Sequence, residues 1–401
     1  MSGWRSAAVA ALVLGVVAGC KEQITTPGKC PALCPSGHVQ LADTVLTAAD
    51  VADTSVRGFV LVREAAYLLA STLDSLQSVI LIRFNKRDSL WFPTTTDTAV
   101  AGASDSVVLD LHLLQRDTAV KQVRLLVYRL PAQFDTGASY ASILPYFADS
   151  NLVDTITIAD SVSNGDLPVR IADSLAIPPG DSGVASLGIA VLAPAQTLVT
   201  VGSGNLGTSA PLLSYYVHAR APLDTLTHVF SVEPAVDLFV LSPPPVQPPA
   251  GVLAIGGIPT ARAMVRLSLP KVVQDSNAVV RATLLLTTTG PVGGFARDSF
   301  YVIAEPVVRD FGIKSVLWPD SAVSGSAKVY PGQTGVVSMD IAPILRFWGT
   351  TTGDSTPRLL MIRAYPEGTI VGDARFAGRA AGAAGPQLRV TYVKPYTFGL
   401  P

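Results

Sequence analysis

Short stretches of alternating apolar and polar residues recur along most of the chain, bounded by clusters of Gly, Pro, Asp, Ser and Thr. Examples are VVLDLHL at 107–113 and RVTYV at 389–393. Alternation with a period of two predicts strands that bury one face. Many such strands without regular helices between them predict antiparallel sheets packed as a sandwich or jelly roll. The pattern therefore predicts an all-β protein.

Five of these segments return later in the chain in the same order, which indicates an internal duplication. The matched pairs are 81–84 with 264–267, 125–131 with 300–306, 169–172 with 339–342, 187–194 with 359–366, and 211–217 with 386–392. We therefore predict two tandem jelly-roll-like antiparallel β-sandwich domains, at 42–222 and 223–398. The connection is expected near 219–226, because the apolar segment 229–241 is assigned to the first strands of the second copy.

One helical segment is expected inside the second copy. Ile341, Ile344, Leu345 and Trp348 are spaced i, i+3, i+4 and i+7, which places them on one helical face. This spacing predicts that Trp348 is a core residue.

Composition narrows the class of protein. Of the 401 residues, 49% are hydrophobic and 15% are charged, which is too apolar for a disordered chain. The 29 basic and 30 acidic side chains nearly cancel, so a nucleic acid partner is not expected. Glu is rare while 33 Gly and 30 Pro supply turns, in keeping with a β-rich fold.

The N-terminus has the features of an export signal. Arg5 precedes a twelve-residue apolar run at 7–18, which is too short for a lasting transmembrane helix. The run ends in Val-Ala-Gly-Cys at 17–20, which resembles the lipobox of bacterial lipoproteins. The resemblance implies a signal peptide at 1–19, acylation of Cys20 and a lipidated tether at 20–41. With Lys21 after the cysteine, it also implies a cell envelope location, in the outer membrane. The alternative is an ordinary secretory signal.

Two further cysteines, Cys30 and Cys34, lie in the tether. In an exported protein an even pair predicts a local disulfide. Partial zinc ligation with His38 is the alternative, but Pro31 and Pro35 interrupt a common helical face and no fourth ligand is near. We expect no metal and no cofactor.

The second copy resembles a known family. Residues 253–270, 280–286, 337–342 and 386–392, with Trp348, are similar in order and spacing to the DNRLRE domain of bacterial surface and secreted proteins. The resemblance implies a jelly-roll β-sandwich. It also implies carbohydrate binding, because some members are regarded as modules for acidic polysaccharides.

Catalysis is not expected. Gly180-Asp-Ser-Gly183 is similar to the nucleophile loop of trypsin-like proteases, but Gly353-Asp-Ser355 occupies the same place in the second copy without a catalytic base. Both segments are interpreted as turns. Scattered aspartates, among them Asp110, lack the spacing of a calcium loop.

Exposed aromatic side chains are the candidates for ligand binding, since a sugar ring stacks on an aromatic face. The candidates are Trp91, Trp318 and Tyr330; the alternative is that the tryptophans plug the ends of the sandwich. The sequence thus predicts a lipid-anchored envelope protein with β-sandwich modules that bind polysaccharide, held to the membrane by its lipid. The alternative function is a structural or assembly component acting through contacts with envelope proteins.

Overall fold

The computed structural model describes residues 41–58, 62–74, 76–86, 103–171, 184–218, 227–243, 247–258, 260–274, 279–295, 299–310, 317–350, 356–368 and 370–393. The predicted signal peptide, Cys20, Cys30, Cys34 and Trp91 lie outside these ranges, as do the loops at 180–183 and 353–355 and the connection at 219–226.

The described chain is mostly β-strand, as the alternation predicts. The strands of the first half are β1 (Leu41–Leu46), β2 (Val51–Arg57), β3 (Tyr67–Leu73), β4 (Leu76–Phe84), β5 (Ala103–Arg116), β6 (Arg124–Arg129), β7 (Leu152–Thr157), β8 (Gly165–Ile171), β9 (Ser186–Leu192), β10 (Leu198–Gly202) and β11 (Leu212–His218). Those of the second half are β12 (Thr227–Val232), β13 (Pro234–Ser242), β14 (Val252–Gly256), β15 (Ala261–Leu267), β16 (Val279–Thr287), β17 (Gly293–Gly294), β18 (Phe300–Arg309), β19 (Trp318–Pro319), β20 (Gly325–Val329), β21 (Val336–Asp340), β22 (Leu359–Tyr365), β23 (Gly372–Ala377) and β24 (Gln387–Val393).

Helical elements are short and lie between the strands. Within the described ranges the α-helices are α1 (Tyr140–Ile143), α2 (Lys271–Gln274) and α3 (Ala342–Thr350). The 3₁₀ turns are Ala48–Asp50, Val62–Glu64, Leu144–Phe147, Asp149–Asn151, Gly204–Ser209 and Arg379–Ala384.

The strand pairings of the second half repeat those of the first. In the first half, β10, β3, β4, β9, β6 and β7 are neighbours in that order, as are β12, β11, β5 and β8. The pairing of β10 with β5 joins these two runs into one sheet, whereas the corresponding runs of the second half belong to separate sheets. In the second half the corresponding orders are β23, β14, β15, β22, β18 and β20, and β1, β24, β16 and β21. All pairings with a known register are antiparallel. The described strands therefore form several antiparallel sheets in two matching sets.

The leading strands of the two halves are exchanged. The sequence assigned 229–241 to the second copy, yet β13 pairs with β4 of the first half, from Pro234 opposite Phe84 to Ser242 opposite Gln77. Conversely, β2 of the first half pairs with β15 of the second along its whole length. β12 and β1 follow the same exchange, beside β11 and β24 respectively.

Because of this exchange, most of the described chain belongs to a single body. Residues 43–392 form one compact unit. Side chains of the second half, including Ile258, Phe295 and Val371, join the core cluster of the first. The predicted division at 222/223 stays a prediction, but strands cross it in both directions.

Two of the matched pairs are offset in the structure. The match of 125–131 with 300–306 is off by two residues, and that of 187–194 with 359–366 is off by one. Leu187 packs in the large core of the first half, whereas Leu359 packs with Met264 and Met361 in a small cluster on the opposite sheet face. Leu360 is therefore the structural counterpart of Leu187. A one-residue shift moves a side chain to the other face, and β22 is buried on both faces along its first four residues, so alternation gave no register there.

The predicted helix is confirmed as α3. Its buried residues include Ile344, Leu345 and Trp348, and Asp340 Oδ1 accepts the N–H of Ala342 at its start. Trp348 is 2% exposed, so it is a core residue, as its spacing predicts.

Candidate functional site

Exposed tyrosines meet at one end of the sheet formed by β22, β18 and β20. Tyr301 of β18 lies directly opposite Tyr365 of β22 on one side and Lys328 of β20 on the other. Directly opposed residues have Cβ atoms about 5 Å apart on the same face. Tyr301 is 45% exposed and Tyr365 is 52% exposed, so this face of the sheet is open to solvent here.

A third tyrosine extends the row. Tyr330 follows the last residue of β20 and is 51% exposed, and Lys328 Nζ lies 5.4 Å from the centre of its ring. Pro331 and Gly332 come next, and Gly332 has φ of 81°, as the third position of a type II turn requires. Gln333 closes the turn by donating its N–H to the Tyr330 carbonyl. Tyr330 is thus held at a tight turn, and we call Tyr301, Tyr330 and Tyr365 the tyrosine platform.

Two ion pairs lie on the same sheet face, directly behind the platform. Arg363 donates from Nε and Nη2 to the two carboxylate oxygens of Glu305, at 3.0 and 2.8 Å. Arg262 makes the equivalent paired contacts with Glu367, the shortest at 2.6 Å. Both glutamate side chains are nearly buried while both arginine side chains are partly exposed. We call the two ion pairs, Arg363–Glu305 and Arg262–Glu367, the arginine ladder, and its accessible edge is therefore mainly guanidinium.

The electrostatics of the ladder favour fixed positive charge at the surface. The hydrogen bond to Glu305 raises the pKa of the Arg363 guanidinium, and this outweighs the opposing effect of burial. Arg363 also lies over the Tyr365 ring, 5.8 Å from its centre. Lys328 makes no ion pair within the described residues. Platform and ladder together thus offer aromatic faces, N–H donors and an excess of positive charge.

The structure places the two described aromatic candidates at opposite ends of β18. Trp318 pairs with Arg309 at the end of that strand, whereas Tyr330 lies beyond its beginning. Eight residues of strand, about 27 Å, separate the positions of Tyr301 and Arg309. Trp318 is 52% exposed and therefore plugs no end of a core, with the Arg309 guanidinium 5.3 Å from its ring centre. The structure brings Tyr330, but not Trp318, to the platform.

Sequence reasoning missed Tyr301 and Tyr365. Its search favoured tryptophans in loops, whereas these tyrosines belong to strands. A signal existed in β18, where Phe300 and Val302 are buried on either side of the exposed Tyr301. Strand alternation alone could have placed that ring on the outer face.

The corresponding face of the first half is covered. Leu130, Phe134 and Ile143, from the segment that contains α1, pack over Leu81 of β4 and its neighbours, with Phe147 against the same cluster. Leu81 corresponds to Met264 of the second half. Within the described chain, an open aromatic row is therefore found on this face of the second half and not of the first.

The described ranges show neither a metal-binding cluster nor a membrane-spanning helix. No three or more His, Cys, Asp or Glu side chains there are placed to hold a metal ion. No described helix is both long enough and apolar enough to cross a bilayer.

Comparison with known proteins identifies no relative of this chain. No protein-family model, curated protein or solved structure matches the chain. The resemblance of the second half to the DNRLRE domain stays a prediction from the sequence.

Proposed function

We propose that this protein is a lipid-anchored component of a bacterial envelope whose tandem jelly-roll-like β-sandwich modules bind polysaccharide, and that the tyrosine platform is the principal contact. The observation that carries the proposal is the row of Tyr365, Tyr301 and Tyr330 across three adjacent strands. At about 5 Å per strand the row is about 10 Å wide, which suits an oligosaccharide better than a single ring.

The chemistry of the platform supports a sugar ligand. The apolar face of a pyranose stacks on an aromatic ring, while hydroxyl groups need hydrogen-bonding partners at the edge of the contact. Arg262, Arg363 and the exposed Ser326 lie beside the rings on the same face and supply such partners. The positive charge of Lys328, which has no ion-pair partner among the described residues, adds a preference for anionic chains, and salt would weaken this preference.

Anchoring is the second part of the proposal. Cys20 carries the thiol that acyl transfer uses, and each buried CH₂ contributes about 0.8 kcal/mol of membrane affinity, so several chains hold a protein where one does not. Cys20→Ser should prevent lipidation and release the protein from membrane fractions. Unchanged processing and unchanged fractionation would show that the anchor is absent.

Affinity electrophoresis tests binding directly. The soluble chain from residue 42 onward is run in gels that contain neutral or acidic polysaccharides. Retardation by at least one is expected, and Tyr301→Ala or Tyr365→Ala should weaken it several-fold, in keeping with about 0.5–1.5 kcal/mol per aromatic contact. Tyr146→Ala is the matched control, because Tyr146 is an exposed tyrosine of the first half.

The alternative function gives a different result. A protein that acts only through protein–protein contacts would show no retardation on a broad glycan panel and would instead be recovered crosslinked to envelope proteins of its native host. Retardation that Tyr146→Ala reduces as much as Tyr365→Ala does would remove the platform from the proposal. Trp318→Ala should have a smaller effect than Tyr365→Ala, because of its distance from the platform.

A further inference from the structure

A concave site lies where Leu73 of β3 and Leu76 of β4 meet residues of the second half. The cleft has a volume of about 510 Å³, which is in the range of small-molecule sites. Its apolar floor is formed by Leu73, Leu76, Leu198, Ile258 and Val371. It shares no lining residue with the tyrosine platform, so it is a separate site.

One wall of the cleft is rigid and is hydrogen-bonded to a neighbouring strand. Pro248 and Pro249 contribute to it, and proline has a fixed φ. The adjacent Gln247 accepts the N–H of Arg57 through Oε1 at 3.0 Å and donates Nε2 to the Arg57 carbonyl. The wall is thus fastened to exchanged strand β2, and the cleft exists before any ligand enters it.

Three charged residues lie at one end of the cleft. Asp373 accepts Arg57 Nη2 through Oδ1 at 3.1 Å and Arg375 Nε through Oδ2 at 2.9 Å. The Asp373 carboxylate therefore accepts hydrogen bonds from two guanidinium groups. Among the described residues that line the cleft, Arg57, Asp373 and Arg375 are the charged ones. The site carries an excess of one positive charge.

The two arginines differ in how much of the guanidinium group a ligand can reach. The Arg57 side chain is 7% exposed and its role is structural, whereas the Arg375 side chain is 57% exposed. Within the described chain the Arg375 guanidinium donates through Nε to Asp373, and its two terminal nitrogens contact no acceptor. A guanidinium edge with two parallel N–H donors fits a carboxylate.

We propose that this cleft binds a small amphipathic carboxylate, with the hydrocarbon on the apolar floor and the carboxylate on Arg375. A cation would meet two arginines, and a neutral polyol would leave the floor without apolar contacts. The proposal is independent of polysaccharide binding, because it uses other residues.

Isothermal titration of the soluble chain from residue 42 with hexanoate, hexanol and hexylamine tests it. Saturable binding of hexanoate is expected, with hexanol weaker and hexylamine weakest. Arg375→Gln should weaken hexanoate roughly tenfold or more, since it removes charged hydrogen bonds, and should leave hexanol nearly unchanged. Equal affinity for hexanoate and hexanol, or no saturable binding of hexanoate, would overturn the proposal.

A second variant separates loss of binding from loss of folding. A Cβ atom at Gly290, in the lining of the cleft, would meet no atom within 4 Å, so Gly290→Trp can fill the cleft without a clash at the backbone. It should abolish hexanoate binding and leave the melting temperature and any polysaccharide retardation unchanged. Thr136→Trp, on an exposed loop of the first half, is the matched control and should bind hexanoate as the wild type does. Hexanoate binding that survives Gly290→Trp would place the ligand elsewhere.

Discussion

Asp53 and Asp237 hold corresponding places in the two exchanged strands. Asp237 Oδ2 accepts the N–H of Gly204 at 2.6 Å, and Asp53 Oδ2 accepts the N–H of Arg379. Gly204 and Arg379 are the first residues of the six-residue 3₁₀ turns that precede β11 and β24. Each exchanged strand is thereby fastened to the half that it has joined, by a carboxylate on an otherwise unpaired N–H at the start of a turn.

Asp237 makes stability depend on pH. Burial raises the pKa of the Asp237 carboxyl above its ordinary value, although the hydrogen bonds from Gly204 and from its own N–H lower it. A raised folded-state pKa means that ionisation costs stability, and the cost disappears as pH falls through the folded pKa toward the unfolded value of about 3.9. Asp237→Asn should therefore be slightly more stable than wild type at pH 7, and the difference should shrink toward pH 4. Urea unfolding at several pH values measures it.

Asp74→Asn is the control for Asp237→Asn, because Asp74 is exposed. A difference between Asp237→Asn and wild type that grows as the pH falls would contradict the assigned direction.

The strand exchange predicts which fragments fold. A fragment at 42–222 lacks β12 and β13 and leaves the edges of β4 and β11 unpaired, and 223–398 lacks β1 and β2. Neither should fold cooperatively alone, since an unpaired edge exposes backbone groups and apolar side chains. Mixed together, they should associate. Circular dichroism and size-exclusion chromatography report both outcomes.

A differently cut fragment is the matched control. Residues 59–243 include β3 to β13, and so retain the strands that β4 and β11 need; this fragment should fold where 42–222 does not. Cooperative folding of isolated 223–398, which a simple tandem arrangement predicts, would show that its own leading strands can replace β1 and β2.

Tyr67→Phe should stabilise the protein. The Tyr67 hydroxyl is buried without a hydrogen-bond partner among the described residues, and burial raises its pKa well above the ordinary value. The ring itself is stacked with Phe239 of the exchanged strand β13, with centroids 6.5 Å apart. Removing an unsatisfied hydroxyl while keeping the ring should gain about 1 kcal/mol in the free energy of unfolding. Tyr67→Ala should instead lose about 3–5 kcal/mol; a loss with Tyr67→Phe would reveal a partner for the hydroxyl.

Neighbouring substitutions in β24 test its alternation. Val390 is 1% exposed and opposes Ala282, whereas Arg389 is exposed and opposes Thr283. Val390→Asp buries a carboxylate without a partner and should cost several kcal/mol, about 3 or more, while Arg389→Asp should change stability by about 0.5 kcal/mol or less. Chemical denaturation of both variants decides; equal tolerance would show that the strand faces are assigned wrongly.

The class of fold and the direction of many side chains follow from the sequence pattern alone. Alternation predicted a β protein and the buried side of β24, and the i, i+3, i+4, i+7 spacing placed Trp348 in the core. These features are local, because the period of the apolar residues reports which face of an element is buried.

The partner of each strand, by contrast, follows from the folded arrangement and not from the local pattern. β2 and β13 come from similar copies, so either could satisfy the exposed edge of β4 or of β15, and a hydrophobic pattern specifies a face but not a partner. The tyrosine platform likewise depends on strand pairing. Tyr301 and Tyr365 are far apart in the chain and become neighbours because β18 pairs with β22. Both are exposed, and within the described ranges no segment covers them in the way that 130–147 covers the first half.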